Sequence, residues 1–254
     1  MNQLLAIAAS GLGAQSSLIS AVAANIANLN TPGFGARVAT LTNGPNQLVR
    51  LANSPFAGQV IPPGLAYSAG ATLAQDVPSF GDQVVPSNIP THLAVEGPGF
   101  FMVTNAQGAI WLTRAGQFTL DGQGYLVLPG GYRLYPPVTI PAGMTFSIGG
   151  DGRIVASDGT TLGQLQLATV ANPAGLLQVA PNLYQATAAS GNIVTQAPGQ
   201  GGAGTVVAGA LNGSNVNLAQ NFGELISASS AYQMNAKMVT LANRLDQALT
   251  NLQV

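Results

Sequence analysis

Apolar residues recur at seven-residue intervals along the first thirty residues of the chain. Two sets of positions make up the repeat: Leu5, Leu12, Ile19 and Ile26, and, three residues after each of them, Ala8, Gln15, Val22 and Leu29, of which Gln15 is the one polar break. A repeat of this kind over four heptads predicts a helix over residues 3–29 with one apolar stripe. The other positions are mostly Ala, Ser, Asn and Gly, which favour a close approach to a second helix.

The predicted helix ends abruptly at the sequence LNTPGF, residues 29–34. Pro32 disfavours a helical conformation at Thr31, and Gly33 permits a sharp change of direction. We expect this segment to end the helix and turn the chain, with its asparagines bonded to helix-end carbonyls or to a neighbouring backbone. The predicted chain-turn motif comprises Asn25, Asn28, Thr31, Pro32, Gly33 and Phe34.

A second long helix is predicted near the C-terminus, from about residue 217 to residue 252. Its apolar positions keep the heptad phase at Phe222, Leu225, Tyr232, Ala236 and Val239 and then shift to Leu241, Leu245, Leu249 and Leu252. A shift of this kind changes the local winding of a coiled coil. We expect the two terminal helices to pack on each other through these residues: Leu5, Leu12, Ile19, Ile26, Leu225, Tyr232, Val239 and Leu245.

The sequence between the helices is typical of β-structure. Residues 41–90 are rich in proline and turn-forming residues, which predicts extended chain. Three apolar pairs of segments flank short glycine-containing turns, at NAQG, DGQG and GDG, and each pair predicts a hairpin. GQLQLATV predicts one half-buried strand, and residues 197–204 a loop. The fold class is therefore α+β, with residues 1–35 and 213–254 forming a coiled-coil layer, 36–90 an extended connection, and 91–212 an all-β middle domain.

Charged residues make up only 6% of the chain, and the net charge is −1. A soluble domain carries roughly 25% charged residues, so much of this surface is expected to be buried against other protein. We find no uninterrupted apolar run of about 18 residues and expect no transmembrane helix or direct membrane insertion. The N-terminus has no basic residue before its apolar part, so no cleavable signal is predicted. Without a basic patch, nucleic-acid binding is not expected.

Catalytic chemistry is not predicted. The chain has no cysteine and a single histidine, His92, so neither a catalytic triad nor a Cys- or His-based metal site is expected. Asp121, Asp151 and Asp158 each precede glycine and are explained by turns. We expect no enzyme activity and no cofactor.

Three segments resemble signatures of the bacterial flagellar axial proteins. ANIANLNTPGF resembles their N-terminal signature, LAVEGPGFFMV…LTRAGQFTLDGQGYLV their shared central segment, and LNGSNVNLAQNFGELISASSAYQMNAK their C-terminal signature. The three occur in the family's order and cover more than a third of the chain. The chain is most similar to the basal-body rod proteins, and among them to the distal rod members.

The chain departs from these signatures at a few positions. His92 stands where an acidic residue is usual, Ser230 where arginine is common, and Gln220 and Asn221 replace an acidic pair. These changes remove charges that could form ion pairs between subunits.

The resemblance implies a structural subunit of the flagellar distal rod. Such a protein is exported unfolded by the flagellar export apparatus without a cleaved signal. It polymerises helically into the drive shaft that carries torque across the periplasm from motor to hook. The implied partners are further copies of the chain, the proximal rod proteins, the hook protein and the L- and P-ring bushing proteins.

Two alternatives stay open. The chain could be a proximal rod or another axial protein of the hook-basal body, or a non-flagellar periplasmic or surface protein with a ligand-binding β-domain. For a rod subunit we expect the terminal helices to be largely disordered before assembly, since each stripe has too few partners in a monomer.

Overall fold

A computed structural model describes residues 2–44, 46–50, 65–68, 70–105 and 107–252. Two long helices, α1 (Asn2–Ala27) and α2 (Leu218–Leu252), enclose a β-rich middle, as the α+β prediction required. α1 ends two residues before the predicted boundary, and α2 begins one residue after it. Part of the predicted connection, residues 51–64, lies outside the described residues.

The described strands are numbered in chain order. They are β1 (Ala36–Asn43), β2 (Asn46–Arg50), β3 (Leu65–Ser68), β4 (Ala71–Ser79), β5 (Val84–Pro86), β6 (Leu93–Glu96), β7 (Phe100–Thr104), β8 (Ile110–Thr113), β9 (Thr119–Leu120), β10 (Leu126–Leu128), β11 (Tyr132–Tyr135), β12 (Phe146–Ile148), β13 (Arg153–Ala156), β14 (Thr161–Gln164), β15 (Leu167–Thr169), β16 (Leu177–Ala180), β17 (Leu183–Gln185), β18 (Val194–Gln196), β19 (Thr205–Ala208) and β20 (Ala210–Asn212). A short 3₁₀ helix, Pro173–Gly175, precedes β16.

The chain divides into two compact units. The first contains the described residues within Met1–Ile26, Arg37–Asp76 and Leu218–Val254, and the second contains those within Ala27–Ala36 and Val77–Asn217. The predicted boundaries differ from this division, because they placed residues 37–76 in a separate connection and the turn after α1 with the helices.

The first unit contains both helices and two two-stranded ribbons, one formed by β1 and β4 and the other, which is antiparallel, by β2 and β3. α1 and α2 meet at two described points. A Cβ on Gly11 would lie 2.8 Å from the Nδ2 atom of Asn235, and Asn25 is hydrogen-bonded to Asn221. The numbers rise along one helix and fall along the other, by fourteen residues each, so the helices are antiparallel with a two-heptad spacing.

The second unit is built on a nine-stranded sheet whose central strand is β7. β7 pairs with β8 along one edge and with β11 and β15 along the other. The three predicted hairpins are confirmed as β7–β8, β9–β10 and β12–β13. The largest core cluster of this unit includes Leu93, Phe101, Phe118 and Ile154, each less than 1% exposed.

The prediction of one strand over GQLQLATV is wrong. Its residues belong to two strands, β14 and β15, which pair with different partners: β14 with β13, and β15 with β7 and β18. The chain changes direction at Leu165, whose side chain is buried in the core and whose N–H donates to the Gly152 carbonyl at 2.7 Å. Alternation of apolar residues does not reveal such a break when the intervening residue is itself apolar.

The expectation that no helix could span a membrane also needs correction. Leu4–Ala27 is long and apolar enough to do so by length and composition. Its alanines and glycines interrupt the run of large side chains without lowering its average hydropathy enough to fail the test. A packed helix of a soluble protein satisfies the same criterion, and Ala8, Ala14 and Val22 are buried.

Candidate functional site: asparagine joints at the helix ends

The side chain of Asn25 joins three elements of the first unit, and we call this cluster the helix joint. Its Nδ2 donates to the Arg37 carbonyl at 2.9 Å and to Oδ1 of Asn221 at 3.0 Å. Its Oδ1 accepts a hydrogen bond from the Arg37 N–H at 2.7 Å. Asn25 is only 3% exposed. The amide therefore ties the last turn of α1 to the start of β1 and to the first turn of α2.

The Arg37 side chain links β1 to a further strand of the first unit. Its guanidinium forms two bonds with Asp76 of β4, at 2.9 and 2.6 Å. Both side chains are partly exposed, so this pair contributes little stability compared with a buried pair. The pair joins β1 to β4 beside a cavity of about 420 Å³ that is also lined by Ser16, Ser17 and Ser20 of α1.

The predicted chain-turn residues after α1 lie in the second unit and adopt a tight turn. The Thr31 N–H donates to the Asn28 carbonyl at 3.1 Å, and its hydroxyl donates to the Asn28 side chain at 3.1 Å. Gly33 has a φ of +72°, and a Cβ there would collide with the backbone of Arg114 and Ala115. Only glycine fits this position. Phe34 is buried.

Three asparagines hold this turn in place, and we call them the turn joint. Asn182 donates from Nδ2 to the Pro32 carbonyl at 3.2 Å. Asn215 accepts from the Ala36 N–H at 2.8 Å and donates to the Ser79 carbonyl at 2.9 Å. The Asn212 carbonyl accepts the Gly33 N–H at 2.8 Å. The turn is thus fixed by residues more than a hundred positions away in the sequence.

The Asn212 side chain also forms with β6 the two hydrogen bonds that a neighbouring strand would otherwise form through its backbone. It is 1% exposed, and it accepts from the Val95 N–H and donates to the Val95 carbonyl, both at 2.8 Å. The amide has the donor and acceptor pattern of a peptide group, so it satisfies both polar atoms of a buried residue of β6. β20 is joined to β6 in this way while its backbone pairs with β5.

Arg114, in the LTRAG segment, organises the loops around β7. Its guanidinium donates to the carbonyls of Gly81, Gly97 and Gly99 at 2.9, 2.6 and 3.1 Å. It also bonds to Asp82 at 2.9 Å and lies 5.4 Å from the centre of the Phe100 ring. Arg114 is 5% exposed. A buried cation is stable here because most of its donors have acceptors.

The predicted packing residues of α1 are not among its most buried side chains. The buried residues of α1 are Ala8, Gly11, Ala14, Ala21, Val22 and Asn25. Leu12 and Ile26 each follow a buried residue by one position and are half-buried, as is Ile19, and Leu5 is exposed. Their role in packing between subunits stays a prediction.

On α2 the residues turned inward repeat every seven positions. Asn221, Ala228 and Ala242 are buried and Asn235 is half-buried, so the heptad phase continues through residue 242. Of the predicted packing residues, Leu225 and Val239 are half-buried, whereas Tyr232 and Leu245 are exposed. The residues after the shift in phase, Leu241 and Leu245, therefore lie on a different face of α2 from the buried residues.

That second face is an apolar stripe on the outer side of α2. Its members follow one another by four, three and four residues and are each at least 40% exposed: Met234, Met238, Leu241 and Leu245. We call this set the Met–Leu stripe. Spacing of this kind is the pattern of a coiled-coil seam, and within the described part of the first unit the stripe is left largely open to solvent.

The described residues offer little for catalysis. They contain no group of three or more His, Cys, Asp or Glu side chains that could hold a metal ion. The His92 Nδ1 atom lies 2.8 Å from the Ser87 hydroxyl. The Tyr125 N–H lowers the pKa of Asp121, assisted by the Gln123 N–H and by Arg133. This shift belongs to a turn and does not mark a reactive site.

The sequence did not indicate the joints beyond Asn25 and Asn28. Asn182, Asn212 and Asn215 were not singled out, and Asn221 was noted only as the loss of an acidic residue. The one available signal was the SNVN segment within the C-terminal signature, which contains Asn215 and lies next to Asn212.

Comparison with known protein families finds three matched segments along the chain. Residues 5–34 match the family model of flagella basal body rod proteins, 94–156 that of the flagellar hook protein FlgE/F/G D1 domain, and 207–252 that of the flagellar basal body rod FlgEFG protein C-terminal region. Asn25, Asn212, Asn215 and Asn221 lie in matched segments, whereas Asn182 lies outside them.

Relatives that match the chain over nearly its full length are also flagellar basal-body rod proteins. The chain is 35% identical to the flagellar basal-body rod protein FlgG of Caulobacter vibrioides, covering 98% of this chain and 99% of the relative. It is 34% identical to FlgG of Agrobacterium fabrum, covering 95% of both chains. A match to the flagellar hook protein FlgE of Rhizobium meliloti, at 31% identity, covers 63% of this chain and 35% of the relative. The chain belongs to the flagellar basal-body rod protein family.

Proposed function

We propose that the chain is a structural subunit of the flagellar distal rod and polymerises helically into the shaft that carries torque from motor to hook. The observation that carries the proposal is the end-to-end similarity to FlgG proteins, which the match to the longer hook protein lacks. The relatives are structural proteins, and the chain is not an enzyme.

The surface of the first unit supports assembly. The Met–Leu stripe of α2 and the flanking Leu5 of α1 expose large apolar side chains on a chain with 6% charged residues. Burying apolar surface stabilises by roughly 25 cal/mol per Å², and few charges oppose the contact. Every copy has these stripes at the same positions, so the same contact can form between successive copies. Where successive contacts do not close into a ring, they produce a helical filament.

The helix pairs would then form the inner coiled-coil layer and the β-rich unit the outer layer. The partners of the assembled chain are further copies of itself, the proximal rod proteins and the hook protein. The L- and P-ring proteins surround the shaft in the cell envelope, and the flagellar export apparatus delivers the chain to the periplasm without a cleaved signal.

Two other assignments compete with this one. A proximal rod subunit would have the same two terminal helices. It would differ from a distal rod subunit in its position along the assembled shaft. A non-flagellar binding protein with a β-domain would have no use for the terminal stripes and would keep its ligand affinity without them.

The test is self-assembly of the purified full chain. The wild type, concentrated and viewed by negative-stain electron microscopy, is expected to form straight, thin rods. Leu245→Asp places a charge on the exposed stripe and is expected to abolish them, because an unpaired charge is costly to bury. Gln247→Asp adds the same charge two residues away, off the stripe, and should leave assembly unchanged. Rods that form equally in both variants would exclude the stripe as a subunit contact.

A further inference from the structure

Two methionines form the N-terminal half of the Met–Leu stripe. Met234 is 61% exposed and Met238 is 40% exposed, whereas Met102, in the core of the second unit, is 2% exposed. The chain has five methionines and no cysteine. Thioether sulfur is therefore its principal side-chain target for a two-electron oxidant.

We propose that Met234 and Met238 are an oxidation site that controls assembly, such that their sulfoxides block the subunit contact made through the stripe. This inference rests on the proposed function, since it requires the stripe to be buried between copies. The sites react in the free chain, where both side chains are exposed, and are protected once the stripe is covered.

The reaction is oxygen-atom transfer from a peroxide. The methionine Sδ attacks one oxygen of hydrogen peroxide, an S–O bond forms and the O–O bond breaks. The sulfur loses two electrons and the peroxide leaves as water after proton transfer. The product is a polar sulfoxide in place of a flexible apolar side chain, and methionine sulfoxide reductases reverse it.

The placement of the pair explains the effect on assembly. Met234 and Met238 lie four residues apart on one helix face, followed by Leu241 and Leu245. The four side chains form one continuous apolar row. A sulfoxide oxygen in such a row must lose water without gaining a donor, which is unfavourable. The pair belongs to an exposed face of α2, so oxidation leaves the buried contact at Asn221 and Asn235 intact.

The experiment exposes the free chain to graded hydrogen peroxide and maps sulfoxides by peptide mass spectrometry. Met234 and Met238 are expected to react first and Met102 last. The treated chain should show a critical concentration for rod formation raised at least about tenfold, which corresponds to about 1.4 kcal/mol. Reductase treatment should restore assembly, and preformed rods should show slower oxidation at both positions.

The Met234→Leu, Met238→Leu double variant separates this site from the other methionines. Leucine keeps the volume and apolar character of methionine, so the variant should assemble with or without peroxide. Assembly of wild-type chain that carries both sulfoxides at the normal critical concentration would overturn the inference, as would equal inhibition of the double variant. Untreated wild-type chain that never forms rods would instead refute self-assembly itself, and this inference with it.

Discussion

Replacing the buried guanidinium of Arg114 should cost the second unit a large part of its stability. The guanidinium is the donor for three backbone carbonyls, those of Gly81, Gly97 and Gly99. In Arg114→Lys the ammonium is a single point donor on a stem that lacks the fork. We expect it to keep one of the three carbonyls and to leave two without this donor.

The magnitude follows from those two lost bonds. A hydrogen bond to a charged group contributes about 1.5–3 kcal/mol, so the variant should lose about 3–6 kcal/mol. The bond to Asp82 adds nothing to this sum, because that carboxylate is largely exposed and screened by water. Since a domain of ordinary stability has about 5–15 kcal/mol in total, the loss is a large part of the unfolding free energy.

The assay is urea unfolding followed by the fluorescence of Trp111. It is the only tryptophan in the chain, and it packs on the core cluster of the second unit. Arg133→Lys is the matched control, because that side chain is about half exposed and its bonds are to Gln123 and Asp121 at the surface. We expect less than about 1 kcal/mol from the control. Equal losses in the two variants, or a loss below about 1 kcal/mol for Arg114→Lys, would refute the assigned role of the buried fork.

Four further substitutions test the joints and turns. Asn25→Ala removes three hydrogen bonds of the helix joint and should destabilise assembled rods by about 3 kcal/mol, measured by thermal dissociation, whereas Asn28→Ala, which removes one partly exposed bond, should cost under about 1 kcal/mol. Gly33→Ala combines a left-handed backbone with a backbone collision and should lower the urea midpoint of the second unit more than Asn28→Ala does. The Tyr125 N–H lowers the folded-state pKa of Asp121, so its stabilising effect is full above the ordinary value of 3.8 and is lost as pH falls through the lower folded value. Asp121→Asn should therefore lower the unfolding free energy near neutral pH, where the carboxylate contributes fully, and make that free energy less dependent on acid pH.

Each of these has an opposing outcome. Equal effects of the two asparagine changes would remove the distinction between the helix joint and the local turn. A Gly33→Ala protein with an unchanged urea midpoint would show that the turn can relax away from its left-handed conformation. An acid unfolding curve that is the same with aspartate and asparagine at position 121 would mean that other carboxylates dominate acid unfolding.

The helices and hairpins could be predicted because their signals are local. The heptad patterns predict the ends of α1 and α2 to within about two residues. The glycine-containing turns predict the hairpins β7–β8, β9–β10 and β12–β13. These features depend on neighbours in the chain, and a single sequence contains that information.

The joints could not be predicted in the same way. Asn212 is identified only by its bonds to Val95, 117 positions away, and asparagine is equally common in solvent-exposed turns. The close approach of α1 and α2 at Gly11 and Asn235 could not be predicted either, because a heptad pattern identifies large apolar residues and not the small and amide side chains that permit this contact. The packing role of the predicted stripe stays a prediction.

The joints have a consequence for the conditions under which the chain can hold its shape. Asn25, Asn182, Asn212 and Asn215 bridge distant segments through neutral amides. Neutral amides do not titrate between acid and alkaline pH, and dissolved ions do not screen them as they screen charge pairs. The location proposed above, outside the cytoplasm, would expose the subunit to changes in the medium that surrounds the cell. Joints of this type keep the path of the chain constant when the acidity or salinity of that medium changes.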